Sequence, residues 1–172
     1  MEAMRILGID PGIARTGWAV VDSNKSKLTA IAYGCIETEA SKDTSKRLAF
    51  IHKEVETIIK KYSPETLAIE ELFFNTNAKT AFVVGQARGV ILLAAEQKLL
   101  PNSIYTPLQV KIAITGYGRA EKDQIGKMVK TLLSLKELPK LDDTSDALAV
   151  AIAHAFSYNS RRIYDRVPQR KS

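Results

Sequence analysis

Residues 5–12 read Arg5-Ile6-Leu7-Gly8-Ile9-Asp10-Pro11-Gly12, a short apolar run that ends on an acid and is halted by a Pro-Gly turn. A run of this length closed by a chain breaker predicts a buried strand over 5–9. A carboxylate at the end of a strand that should be central is out of place as packing. Asp10 is therefore the first residue to be weighed for chemistry.

Working outward, 16–21 and 28–35 are rich in Val, Ile, Tyr and Trp, with Asn24 as turn chemistry between them, so the first three segments predict an antiparallel meander. The period then changes. Leu48, Ile51, Val55, Ile58, Ile59 and Tyr62 recur at helical spacing and predict an amphipathic helix over 44–62. Pro64 closes it, and 66–69 reads as another buried strand running into Glu70-Glu71. After the polar break at 75–77 comes a long helical pattern over 78–99. Its Gly85 and Gly89 share one face and permit close approach of another backbone, at roughly 1 kcal/mol each relative to Ala. A fifth strand over 103–106 is stopped by Pro107. One helix then ends at the 116–118 loop, a second spans 121–135, and a last one covers 144–156. The order is βββαβα, then one more strand and several helices: one domain over 1–158. Residues 159–172 read as a mobile basic tail, with Arg161, Arg162, Arg166, Arg170 and Lys171 against Asp165.

The chain has 172 residues, 45% hydrophobic and 26% charged, which suits a single globular domain and excludes disorder. Cys35 stands alone, which excludes a disulfide framework and a multi-cysteine zinc site. No apolar run reaches the roughly 18 residues that span a bilayer, and no secretory leader is evident. The expectation is a soluble, cytoplasmic protein without a membrane partner. Twenty-five Lys and Arg against 19 Asp and Glu give a formal charge of +6, which suits a polyanionic partner such as nucleic acid or simply favours solubility.

Three further acids join Asp10. Glu70 ends its strand in the same way, and Asp143 and Asp146, three apart, share a face of an otherwise apolar helix. Singly, each has a structural explanation as a turn, a strand end or a helix cap. Jointly, adjacent strands would bring Asp10 and Glu70 to one edge, with the first turn of the last helix beside them. Several carboxylates in one pocket repel unless they are protonated or bound to cations. Oxygen ligands alone select Mg²⁺ or Mn²⁺, and two such ions roughly 4 Å apart activate a water and stabilise the leaving oxygen of a phosphodiester. In a basic protein this describes a metal-dependent nuclease.

The blocks Ile6-Leu7-Gly8-Ile9-Asp10-Pro11-Gly12, Ala68-Ile69-Glu70, Gly85-Gln86-Ala87-Arg88-Gly89 and Asp143-Thr144-Ser145-Asp146-Ala147-Leu148-Ala149 resemble, in order and spacing, the RuvC family of Holliday-junction resolvases. The likeness covers residues 4–157. It implies an α/β, RNase H-like fold: a five-stranded mixed sheet of order 3-2-1-4-5 flanked by α-helices. It further implies that Asp10, Glu70, Asp143 and Asp146 are the catalytic, metal-binding set, holding two Mg²⁺ ions for which Mn²⁺ can substitute. Asp142 is the near miss, because the family motif spaces its two acids by three. Lys111 and Lys122 match positions that approach the DNA backbone, and Phe73 matches an aromatic that meets opened bases. Phe74 is an additional aromatic, so either ring could stack. Four-way junction DNA, a homodimer and the RuvA–RuvB branch-migration complex are the implied partners. Paired nicks leaving 5′-phosphate and 3′-hydroxyl ends are the implied reaction.

Other readings stand beside this one: another RNase H-like nuclease (YqgF type or RNA-cutting), a sugar-kinase or actin-like ATPase, and a catalytically silent junction-binding module. Tyr117 is a weaker stacking candidate, and Trp18 reads as core. Glu71 faces away from Glu70, while His52 and His154 pack or solvate.

Overall fold

Strand β1 (Met4–Asp10) is the centre of a sheet that the rest of the chain wraps. The computed structural model describes residues 3–24, 27–71 and 78–166. After β1 come β2 (Arg15–Asn24), β3 (Lys27–Glu37), α1 (Thr44–Tyr62), β4 (Thr66–Glu70), α2 (Ala78–Gln97), β5 (Asn102–Tyr105), α3 (Pro107–Thr115), α4 (Lys122–Leu132) and α5 (Asp142–Arg166). The sheet order is β3-β2-β1-β4-β5, as expected. The β1–β2 and β2–β3 pairs are antiparallel, whereas β1–β4 and β4–β5 are parallel.

Successive strand residues point to opposite faces, and the two cores follow that alternation. Leu7, Ile9, Val20, Leu67 and Ile69 pack with Ile51, Val55 and Ile58 of α1 and with Ala87, Ile91 and Ala94 of α2. Ile6, Ala19, Val21 and Ala68 pack on the other face against Ala147, Leu148, Ala151 and Ile152 of α5, with Val110 of α3 and Val129 of α4.

Three boundaries differ informatively from the sequence expectation. Asp10 and Glu70 belong to their strands rather than following them, so strand alternation fixes which way they point. Pro107 both stops β5 and opens α3, where Thr106 and Gln109 form a capping box and proline needs no N–H partner. Helix α5 runs on to Arg166, into the stretch read as a tail, because no Gly or Pro intervenes before Pro168. Phe73 and Phe74 lie outside the described residues.

Candidate active site

Gly8 lies opposite Ala68 and Ile9 opposite Ile69 across the parallel β1–β4 pair. Continuing that register by one residue sets Asp10 beside Glu70, each at the last position of its strand. Ile6, Gly8 and Asp10 share one face of β1, and Ala68 and Glu70 share the same face of β4. That face is the one α5 covers.

Helix α5 comes unusually low over this end of the sheet because the strands beneath it lack side chains. A Cβ on Gly8 would overlap the Ala147 carbonyl, and one on Gly17 would overlap the Asp143 carbonyl. The Thr144 hydroxyl, itself buried, donates to the Gly34 carbonyl at 3.1 Å and fastens the first turn of α5 to β3. Asp143 and Asp146 ride on that turn.

The carboxyl groups feel one another strongly. Burial, then repulsion from Glu70, Asp146 and Asp143, pushes Asp10 up to about 8. Burial and the Asp146 charge push Glu70 up to about 7. Asp146 is raised by burial first, with Asp142 and Asp143 adding to the effect and Lys122 opposing it. Acids that perturb each other in this way occupy one site.

Two cations bracket them. Lys122 Nζ lies 3.1 Å from Asp142 Oδ2 and 3.4 Å from Asp146 Oδ2. A lysine in the first turn of α4 opposes the helix dipole, and these two carboxylates offset that cost. On the other flank Arg15 Nε lies 3.6 Å from Asp143 Oδ2. Glu70, Asp146, Lys111 and Lys122, with Pro107, Val110 and Ile125, line a cleft of about 230 Å³. Asp10 does not line this cleft. It joins the group through its coupling to Glu70, Asp146 and Asp143.

The structure thus gathers Asp10, Glu70, Asp143, Asp146, Lys111 and Lys122 as sequence reasoning expected. That reasoning missed Arg15, the Lys122–Asp142 contact and the two close-approach glycines. An isolated glycine inside a strand marks close backbone approach, so Gly8 and Gly17 did carry a readable signal. The remaining candidates lie elsewhere. His52 contacts Gln97 at 2.9 Å, buried His154 contacts the Tyr105 hydroxyl at 2.9 Å, and half-buried Trp18 packs on Tyr62. Glu71 and Tyr117 are exposed. Burial pushes the Cys35 thiol up to about 11, which makes it a poor ligand at neutral pH.

Among the described residues no group of three or more His, Cys, Asp or Glu side chains is placed to hold a metal ion by itself. An open set of oxygen donors still fits a hard divalent ion. Mg²⁺ binds through one or two carboxylates and fills its other positions with water and substrate phosphate. The upward shifts of Asp10 and Glu70, set first by burial and then by neighbouring acids, show that their ionised forms are disfavoured, and a bound cation would oppose both causes.

The Asp10 shift also sets a pH dependence. Below its ordinary value of 3.8 the carboxyl is protonated in folded and unfolded chains alike and costs nothing. Between that value and about 8 the unfolded chain ionises while folded Asp10 keeps its proton, so stability falls as pH rises. The metal-free protein is expected to melt at a lower temperature at pH 9 than at pH 5, with Mg²⁺ restoring most of the difference. Calorimetry with EDTA or with Mg²⁺ checks this, and equal melting at both pH values without metal would count against a crowded acidic site.

Comparison with known proteins agrees with this geometry. The family model for "Crossover junction endodeoxyribonuclease RuvC" matches residues 6–154. The protein of that name from Caldicellulosiruptor saccharolyticus is 56% identical over 158 residues, covering 91% of this chain and 95% of the relative. That from Halothermothrix orenii is 52% identical over 159 residues, covering 92% and 96%. The solved structure of Thermus thermophilus RuvC, an RNase H-like fold, matches with a TM-score of 0.85 at 35% identity, over 92% of this chain and 97% of that one. T. thermophilus RuvC in complex with Holliday junction substrate matches with a TM-score of 0.88 at 36% identity, over 92% and 96%. With the four acids, the sheet order and the near-full-length matches in agreement, the chain belongs to the RuvC family of crossover junction endodeoxyribonucleases.

Proposed function

We propose that this chain resolves four-way (Holliday) DNA junctions by paired symmetric nicks, in recombination and repair. The observation that carries the reading is the convergence of Asp10, Glu70, Asp143 and Asp146, from three separate segments, at one sheet end beside Lys111 and Lys122. The complex of T. thermophilus RuvC with Holliday junction substrate supports the choice of substrate.

The family implies dependence on divalent metal ions. We assign Mg²⁺, two ions per site, with Mn²⁺ able to substitute, and Asp10, Glu70, Asp143 and Asp146 as the residues that hold them. A bound ion supplies Lewis-acid stabilisation of phosphate charge and lowers the pKa of a water. The protein's own groups do the rest. Lys111 and Lys122 on the cleft wall offset the charge that builds on the phosphate in the transition state. The close seat of α5 on Gly8 and Gly17 fixes the backbone that carries the acids before substrate arrives. The products carry 5′-phosphate and 3′-hydroxyl ends. Phe73 or Phe74 is assigned to stacking on opened bases. The nuclease domain in this reading is 1–158, with the basic segment 159–172 continuing from it, and the enzyme works in the cytoplasm with RuvA–RuvB.

One chain brings one set of acids, whereas a junction needs two symmetric cuts, so a two-fold dimer is part of the proposal. Helix α2 offers a face for it: Phe82 is 69% exposed, Leu93 is 50% exposed, and a Cβ on Gly85 or Gly89 between them would meet nothing within 4 Å. Leu93→Glu is expected to shift sedimentation at micromolar concentration from dimer to monomer and to uncouple the two nicks. A variant that stays dimeric would move the interface elsewhere.

The functional test compares a labelled four-way junction, a linear duplex and an RNA–DNA hybrid with Mg²⁺. Symmetric paired nicks confined to the junction are expected. Preferential cutting of the hybrid would favour the RNA-cutting alternative, and binding without any cutting would favour the silent module.

A further inference from the structure

Arg15 stands at the acids, on the flank away from Lys111 and Lys122. It is the first residue of β2, and the register pairing Asp10 with Gly17 puts it just past the carboxylate end of β1 on the neighbouring strand. Alternation gives it the same face as Gly17 and Ala19, the face covered by α5, and there its guanidinium meets Asp143. Its Cα partner on β3 is a second acid, Glu37. Lys111 and Lys122 come from α3 and α4, which follow β5 in the chain. In the sheet order, β2 and β5 lie on opposite sides of the β1–β4 pair. A sugar-phosphate backbone laid across the acids would therefore meet the two lysines on one side and Arg15 on the other.

The contact that now occupies Arg15 is a weak one. Its Nε lies 3.6 Å from Asp143 Oδ2, beyond hydrogen-bond distance, and the side chain is 50% exposed. A screened, single-point pair of this kind gives way readily to a better partner. The planar guanidinium offers parallel donors that match a phosphate, which a lysine does not. If Asp143 is drawn to a divalent ion, Arg15 loses the greater part of its reason to stay.

We propose that Arg15 is a phosphate-binding residue on the β2 side of this site, held by Asp143 until a divalent ion takes that carboxylate. The proposal rests on the nuclease reading above and adds a contact on the flank opposite the lysines. Metal and DNA then assist each other: the ion frees Arg15 for the backbone, and the backbone in turn favours the ion on Asp143.

The test is equilibrium binding of a labelled four-way junction by wild type, Arg15→Gln and Arg15→Lys over a range of salt, in EDTA and in Ca²⁺ as the divalent probe. With Ca²⁺, Arg15→Gln is expected to bind about 3- to 10-fold more weakly near 0.1 M salt. Its slope of log affinity against log salt should fall by about 0.9, the loss of one phosphate contact. In EDTA the two proteins should differ by less than twofold. Arg15→Lys keeps the charge and should recover the slope, which separates a lost contact from a misfolded variant. An unchanged slope in Arg15→Gln, whether or not affinity falls, overturns the proposal, because it leaves Arg15 merely seating Asp143. If wild type itself binds the junction no better than a linear duplex, the junction-resolving reading fails instead, independently of Arg15.

Discussion

Asp10→Asn is expected to slow junction cutting by about three orders of magnitude while junction binding stays within a few-fold of wild type. The size follows from losing about 4 kcal/mol of charge stabilisation in the transition state, at 1.36 kcal/mol per tenfold in rate. Binding survives because Lys111, Lys122 and the rest of the basic surface remain. The same substitution should make the metal-free protein more stable above pH 5, since Asn avoids both the proton uptake that folding imposes on Asp10 up to about pH 8 and the buried, repelled charge above it. Below pH 4 the gain should fade, because Asp10 is then protonated in the unfolded chain as well as in the folded one. Lost activity with gained stability is the mark of an acid kept for function rather than for folding. Asp146→Asn is expected to behave alike. Native cutting rates in both variants with Mg²⁺ would remove the acids from the mechanism.

Gly17→Ala should inactivate nearly as completely although it alters no ionisable group. The new methyl would overlap the Asp143 carbonyl, so the first turn of α5 must lift and carry Asp143 and Asp146 away from Asp10. Overpacking of this kind costs about 1–3 kcal/mol, and backbone on both sides leaves little room to relax. Gly8→Ala acts one turn further along, against the Ala147 carbonyl and, at 2.8 Å, the Ala151 Cβ. Single-turnover cleavage beside a thermal melt reads both effects. A Gly17→Ala protein that melts low yet, once folded, cuts at the native rate would show that the seat of α5 matters for stability and not for assembling the site.

Local signals placed the elements well. Strand runs ended by Pro11-Gly12 and Pro107, and helical spacing over 44–62 closed by Pro64, gave boundaries close to those observed. Asp10 and Glu70 were legible as misfits because a carboxylate at the end of an apolar strand has no packing role. Their meeting was less legible. Alternation shows which face a residue takes, but not which strand lies alongside, and the β1–β4 pairing came from the family resemblance rather than from pattern. The pairings of Lys122 with Asp142 and of Arg15 with Asp143 were beyond sequence for the same reason, since tertiary docking of α5 selects both partners. Where α5 ends was misjudged for a different cause. Arginine-rich composition suggested a tail, but charge does not stop a helix, and the first breaker is Pro168.

The most direct test of the central claim is to crystallise the protein with Mn²⁺ and locate the ion by anomalous scattering. Density within coordination distance of Asp10 and Asp146, with Glu70 or Asp143 completing the protein ligands, is the predicted result. Manganese bound elsewhere while these carboxyl groups stay bare would contradict it.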